Sequence, residues 1–158
     1  MKKVIISPFS SRMPEDKPNP KNYPYWKEVV SGLQEAGIHI TQIGVEGEQK
    51  LDGVDEILFN KSYAELKEIC KQCDTWIAVD NFFQHFMMAE TNISGIVIWS
   101  LSDPELFGYR GNINLLKNRS YLRTDQYNVW FNVIYNQEAF VSPDIVIGAV
   151  LEKLKDDS

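Results

Sequence analysis

Apolar residues fall along this chain in two ways: in short unbroken runs, and in stretches where they recur every third or fourth position. Val4-Ile5-Ile6, Trp76-Ile77-Ala78-Val79 and Gly95-Ile96-Val97-Ile98-Trp99 are runs of the first kind. Short continuous runs bounded by turn residues suit strands buried on both faces. Ile38 to Ile43 reads as another strand, closed by Gly44. Trp26, Val29, Val30 and Leu33 instead trace one stripe of a helix, and Gly37 suits its C-terminal cap. Ser62-Tyr63-Ala64-Glu65 fits a capping box opening a second helix, with Tyr63, Leu66, Ile69, Cys70 and Cys73 along one face. Phe83 to Glu90 reads as a third helix. Ser142-Pro143 opens a last one, whose apolar face is Ile145, Val146, Ala149, Val150 and Leu154.

Strands alternating with amphipathic helices predict parallel βαβ units. The expected fold is therefore α/β: a single Rossmann-like, doubly wound parallel sheet over residues 1–158, with no internal repeat and no low-complexity segment. Ligands of such sheets sit beyond the carboxyl ends of the strands, which directs attention to the loops after Ile6, Ile43, Val79 and Trp99.

Composition narrows the partners. Sixteen basic against 22 acidic residues give a net charge of −6, and no Lys/Arg cluster occurs. That argues against direct nucleic-acid binding, which needs a basic stripe. No stretch approaches the roughly 20 apolar residues of a membrane helix. The first apolar run stops at Ser7-Pro8, too early for a signal peptide. With two cysteines and no disulfide framework, a cytoplasmic protein is expected.

Each strand-end loop carries chemistry of its own. Lys21-Asn22-Tyr23-Pro24 ends a polar, proline-rich loop just before the first helix, where a lysine can meet an anion that free backbone N–H groups already favour. Gly44-Val45-Glu46-Gly47-Glu48 follows the second strand, and either Glu46 or Glu48 offers a carboxylate to ribose hydroxyls. Neither loop is a G-x-G-x-x-G fingerprint. After Val79, Asp80 suits an N-cap, and the amides of Asn81 to Phe83 suit a phosphate. His85 reads equally as an ordinary helix histidine or as a ligand-facing one. Ser102-Asp103-Pro104 begins a turn-rich segment, up to Tyr109, placed to close over the same crevice.

Cys70-Lys71-Gln72-Cys73 has the spacing of a redox motif but falls near a helix C-terminus, where the dipole raises a thiol pKa. Zinc would need two further ligands, and His39 and His85 are the only histidines. Core packing and no metal site are expected. The aromatic segment Tyr121 to Phe140, with Tyr127, Trp130, Phe131 and Tyr135, reads as core or as an oligomer interface.

Taken in order, these loops resemble glycosyltransferase family 9, the ADP-heptose:lipopolysaccharide heptosyltransferases, and specifically their C-terminal, donor-binding domain. The resemblance runs from Val4 to about Tyr109 and resumes at Pro143–Leu154. Its most specific part is Ile77 to His85, where the family has a strand followed by Asp-Ser/Thr-Gly-x-x-His. Ser102-Asp103-Pro104 is similar to the family's Thr/Ser-Asp-Pro turn, and Lys21-Asn22-Tyr23-Pro24 to its Lys-x-Trp-Pro. The resemblance implies one half of a GT-B enzyme that uses neither metal nor cofactor, with an ADP-sugar the favoured nucleotide-sugar. Lys21 would neutralise the donor diphosphate and Glu46 or Glu48 would hold the ribose. Asp80, with the Asn81–Phe82 amides and His85 behind it, would hold the phosphate and sugar end, while Asp103 would shape the covering loop.

Two departures accompany the likeness. Asn81-Phe82 stand where the family has Ser/Thr-Gly, and the acceptor site and general base belong to an N-terminal domain with no counterpart in these residues. No catalytic residue is nominated. The leading reading is a nucleotide-sugar-binding, heptosyltransferase-like protein that transfers sugar with a partner chain or second copy supplying the acceptor site. A non-catalytic nucleotide or nucleotide-sugar module, for sequestration or scaffolding, ranks second. A nucleoside deoxyribosyltransferase-like enzyme with Glu90 as nucleophile ranks third.

Overall fold

The computed structural model describes residues 1–128 and 133–156. The apolar runs become the centre of a six-stranded parallel sheet: β1 (Lys3–Ser7), β2 (His39–Gly44), β3 (Glu56–Phe59), β4 (Thr75–Val79), β5 (Ile96–Ile98) and β6 (Ile113–Leu115). Their order is β3-β2-β1-β4-β5-β6, so the chain winds outward from β1 in one direction and, after returning to β4, in the other. This is a Rossmann-like α/β fold.

Why the runs are continuous follows from their parity. Val4, Ile6, Ile77, Val79, Ile96 and Ile98 face one core, beneath the helices α1 (Trp26–Glu35) and α5 (Pro143–Asp156). Ile5, Trp76, Ala78, Val97 and Trp99 face the other, beneath α2 (Tyr63–Cys70) and α3 (Phe83–Glu90). Both faces of each central strand are covered, so neither can afford polar alternation. On the first face α1 and α5 approach closely at Gly32, where a Cβ would run into Ile147.

Local signals place the helix ends. Ser62 accepts from the Glu65 N–H at 3.2 Å while Glu65 accepts from the Ser62 N–H at 3.3 Å, closing the capping box. Gly37 takes φ 77°, which an L side chain resists, and the chain turns so that the Ile38 N–H reaches the Leu33 carbonyl at 3.1 Å. The two cysteines pack in the second core and are unbridged, and burial pushes both thiols up to about 12.

The residues between β1 and α1 form a long irregular loop that other parts of the chain hold by its carbonyls. Trp26 Nε1 donates to Pro8 O (3.1 Å), Ser100 Oγ to Pro20 O (3.0 Å) and Tyr135 Oη to Asn22 O (2.8 Å). Tyr23 in turn donates its hydroxyl to Val141 O at 2.9 Å. Of the late aromatic segment, Tyr135 packs against Phe140 and Tyr127 is exposed beside Phe107; Trp130 and Phe131 lie outside the described residues. Among the described residues no helix is long and apolar enough to cross a membrane.

Candidate functional site

The chain leaves β1 toward α1 on one face of the sheet and leaves β4 toward α3 on the other, so the two connections diverge at the carboxyl ends of neighbouring strands. Divergence of this kind opens the crevice in which doubly wound sheets bind ligands. The sequence fills that crevice with three side chains. Lys21 Nζ lies 3.1 Å from Asp80 Oδ2, the lysine side chain 21% and the aspartate 13% exposed. Asn81 spans from β4 to β1: its Nδ2 donates to Ser7 Oγ (3.0 Å), Ser7 O (3.3 Å) and Phe9 O (3.1 Å). Its Oδ1 accepts the Phe83 N–H at 2.9 Å. Of the three amides expected to meet a phosphate, that of Phe83 is therefore already bonded by the chain itself.

The glutamate turn is shaped from β2. Gln42, fully buried, donates to Gln49 O (2.9 Å) and accepts the Leu51 N–H (2.8 Å), which fixes the chain where it leaves the turn. Glu48 folds back so that Oε1 accepts the Val45 N–H at 3.1 Å. It can do so because Gly44 has no side chain; a Cβ there would stand 2.9 Å from Glu48 Oε2. Glu46 is exposed, and its N–H donates to Asn60 Oδ1 at 3.0 Å. The geometry thus separates two glutamates that spacing leaves equivalent.

Glu48 and Phe9 line two adjoining cavities. One, about 260 Å³, lies under the β1–α1 loop; the other, about 110 Å³, is walled by Ile43, Val45, Leu58, Leu66 and Phe82, with Asn60 and Lys61 at its edge. Phe82 is 59% exposed, its ring edge-on to Phe83 and Phe86. Lys21 and Asp80 are not among the lining residues, but Asn81 joins their side of the crevice to Ser7 and Phe9.

His85 and Asp103 have other engagements. His85 Nδ1 is 2.7 Å from the Tyr109 hydroxyl, the rings packed edge to face. Asp103 caps the short helix α4 (Pro104–Phe107) by accepting the Glu105 N–H at 2.9 Å, and it takes a two-pronged contact from Arg119 at 2.7 and 3.1 Å. The guanidinium holds the Asp103 carboxyl below the usual carboxylate range. Among the described residues no group of three or more His, Cys, Asp or Glu side chains is placed to hold a metal ion.

The chain resembles one half of a heptosyltransferase. It superposes on E. coli ADP-heptose LPS heptosyltransferase II with a TM-score of 0.73 at 13% identity, over 99% of this chain and 47% of that one. A glycosyl transferase family 9 protein from Veillonella parvula gives 0.76 at 16% identity, over 98% and 46%. E. coli heptosyltransferase WaaC with ADP gives 0.60 at 16%, over 99% and 44%. The chain thus spans less than half the length of these structures, consistent with a C-terminal-half domain. At such identity the likeness is one of fold. No family model and no curated protein sequence matches the chain.

Phe9, Asn60, Lys61 and Arg119 were not singled out by their pattern in the sequence. Asn60 and Lys61 follow β3, and the loop after a strand draws attention only once the strand itself is recognised.

Half-burial gives Glu48 a pH signature. Its carboxyl titrates above the ordinary range because burial disfavours the charge more than the Val45 N–H favours it. The folded state therefore prefers the protonated acid; its contribution is full below the unfolded titration and is lost as pH rises through the folded one. Glu48→Gln removes the charge. Thermal melts should show the variant higher by roughly a degree or two at pH 7 and equal to the parent below about pH 4.

Proposed function

We propose that this chain is a nucleotide-sugar-binding domain of the glycosyltransferase type, taking an ADP-sugar or a related donor at the carboxyl ends of β1, β2 and β4. The observation that carries the reading is the convergence at one topological switch point of the Lys21–Asp80 pair, the Asn81 bridge and the Glu48 cavity. Those groups occupy the loops that hold the donor in the resembling family, and the WaaC structure with ADP makes an adenine nucleotide the first ligand to try. In this reading Glu48 accepts ribose hydroxyls, and Lys21 exchanges Asp80 for the diphosphate when a donor arrives. A partner chain or second copy supplies the acceptor wall.

Calorimetry with ADP-, UDP- and GDP-sugars tests the reading. Binding of at least one is expected, weakened about tenfold or more by Glu48→Ala; silence with all three at millimolar concentration would sink it.

The second reading, a binding module without turnover, is favoured by one feature. Asn81 and Phe82 replace a small, open approach to the backbone with a bonded amide and a large ring. Robust sugar transfer by the isolated chain would exclude it. The deoxyribosyltransferase reading has lost its nucleophile: Glu90, the last residue of α3, lines neither cavity, accepts from the Tyr63 hydroxyl at 2.7 Å and pairs with Lys67 at 2.9 Å.

A further inference from the structure

We propose that the hollow between Glu48 and Phe82 takes a planar nucleobase and its ribose, and that the phosphates contribute little to binding. The inference rests on the nucleotide-binding reading above and says which end of the ligand carries recognition.

Three observations lead to it. First, the smaller cavity is apolar on most of its wall and has an aromatic face at its rim. Phe82 stays 59% exposed although it sits at the start of a helix packed on the core, and Val45, which lines the same cavity, is 57% exposed. Two apolar groups left open beside a cavity fit a flat ring, since every base offers a π-face. Second, the polar group inside is an acceptor. Among the described residues Glu48 makes no ion pair and its Oε2 carries no hydrogen bond, so a half-buried carboxylate on the cavity wall is open to a donor. Two neighbouring hydroxyls, as on a ribose, supply donors; a phosphate supplies only further negative charge.

Third, two of the groups expected to hold a phosphate, the Phe83 amide and Lys21, are already engaged. An anion at a helix start is held by amides with no other partner, but the Phe83 N–H is bonded to Asn81 Oδ1. The same asparagine, donating to Ser7 and Phe9, fixes the β1 and β4 ends together so that the amide cannot easily be released. Lys21 faces a carboxylate at 3.1 Å in a largely buried pair, and moving it to a phosphate would leave Asp80 behind without its cation. What Lys21 gains on the ligand it loses at Asp80.

The experiment compares each nucleoside with its own diphosphate, adenosine with ADP, uridine with UDP and guanosine with GDP, by calorimetry on the full chain at two salt concentrations. For whichever base binds, the two members are expected within about threefold of each other, with little change between low and moderate salt. A diphosphate at least tenfold tighter than its nucleoside would overturn the inference while leaving the nucleotide-binding reading intact; no binding by any pair would overturn both. Two variants sharpen the result. Phe82→Ala, at an exposed position, is expected to weaken the nucleoside roughly tenfold, and an unchanged affinity would remove the ring from the site. Asn81→Ser with Phe82→Gly is expected to favour the diphosphate over the nucleoside by about tenfold; no gain would show that these two residues are not what keeps the phosphate out.

Discussion

Alanine at position 95 is expected to cost the fold about 3 kcal/mol, near the upper end for overpacking. Gly95 stands just before β5, beside β4, and a Cβ there would meet the Trp76 indole and lie 2.6 Å from the Trp76 carbonyl oxygen. The obstacle is sheet backbone together with a fully buried ring, so neither can step aside. Gly95 is also fixed on its other side, accepting from the Ile113 N–H at 2.9 Å and donating to Asn112 Oδ1 at 3.1 Å. Thermal denaturation should show a midpoint lower by roughly 10 °C, and urea denaturation a midpoint at lower concentration. Gly148→Ala provides the contrast: it lies within α5 with nothing within 4 Å of the added Cβ, and it should gain about 0.5–1 kcal/mol from helix propensity. A Gly95→Ala protein as stable as the parent would mean the β4–β5 contact is looser than these distances state.

The second large effect is expected at the crevice. Asp80→Ala leaves Lys21 largely buried without that carboxylate, and removing one partner of a buried pair costs about 3 kcal/mol. Removing both is a different matter. The Lys21→Ala/Asp80→Ala double variant should cost well under the sum of the singles, with a coupling of about 1–3 kcal/mol in the cycle. Because the pair lies mostly out of solvent, moderate salt should change that coupling little. Additive singles would show that the 3.1 Å contact does not bind the two loops.

How much of this was legible before the structure depends on burial. Val4–Ile6, Trp76–Val79 and Ile96–Ile98 are covered on both faces, and their unbroken apolar runs say so. β3 and β6 close the two edges of the sheet and have no fully buried residue between them; β3 offers only Ile57-Leu58-Phe59 behind a charged residue and β6 only Ile113-Asn114-Leu115, too short on their own to mark a strand. Helix α3 was readable to its end residues, Phe83 and Glu90, from its position after a strand. Within the site, Lys21, Asp80 and Asn81 were legible because strand ends in such a sheet converge. What the pattern could not give is the choice between Glu46 and Glu48, which hangs on Gln42 pinning the turn from below and on Gly44 leaving space above. Nor could it give the Asn81 bridge, whose partners lie more than seventy residues earlier in the chain.

The loop from Pro8 to Tyr25 bears on how the protein would meet a ligand. In a minority of complexes a binding loop rearranges around its ligand. Here Asn81, Ser100 and Tyr135 grip its carbonyls, while its own Tyr23 is anchored to Val141, 118 residues away. Any large excursion would have to unfasten contacts to β4, β5 and the approach to α5 at once. Lys21 therefore belongs to a preset frame, and in the nucleotide-binding reading proposed above selectivity at this end of the molecule would come from rejecting misfits, as a lock does, instead of moulding to each arrival.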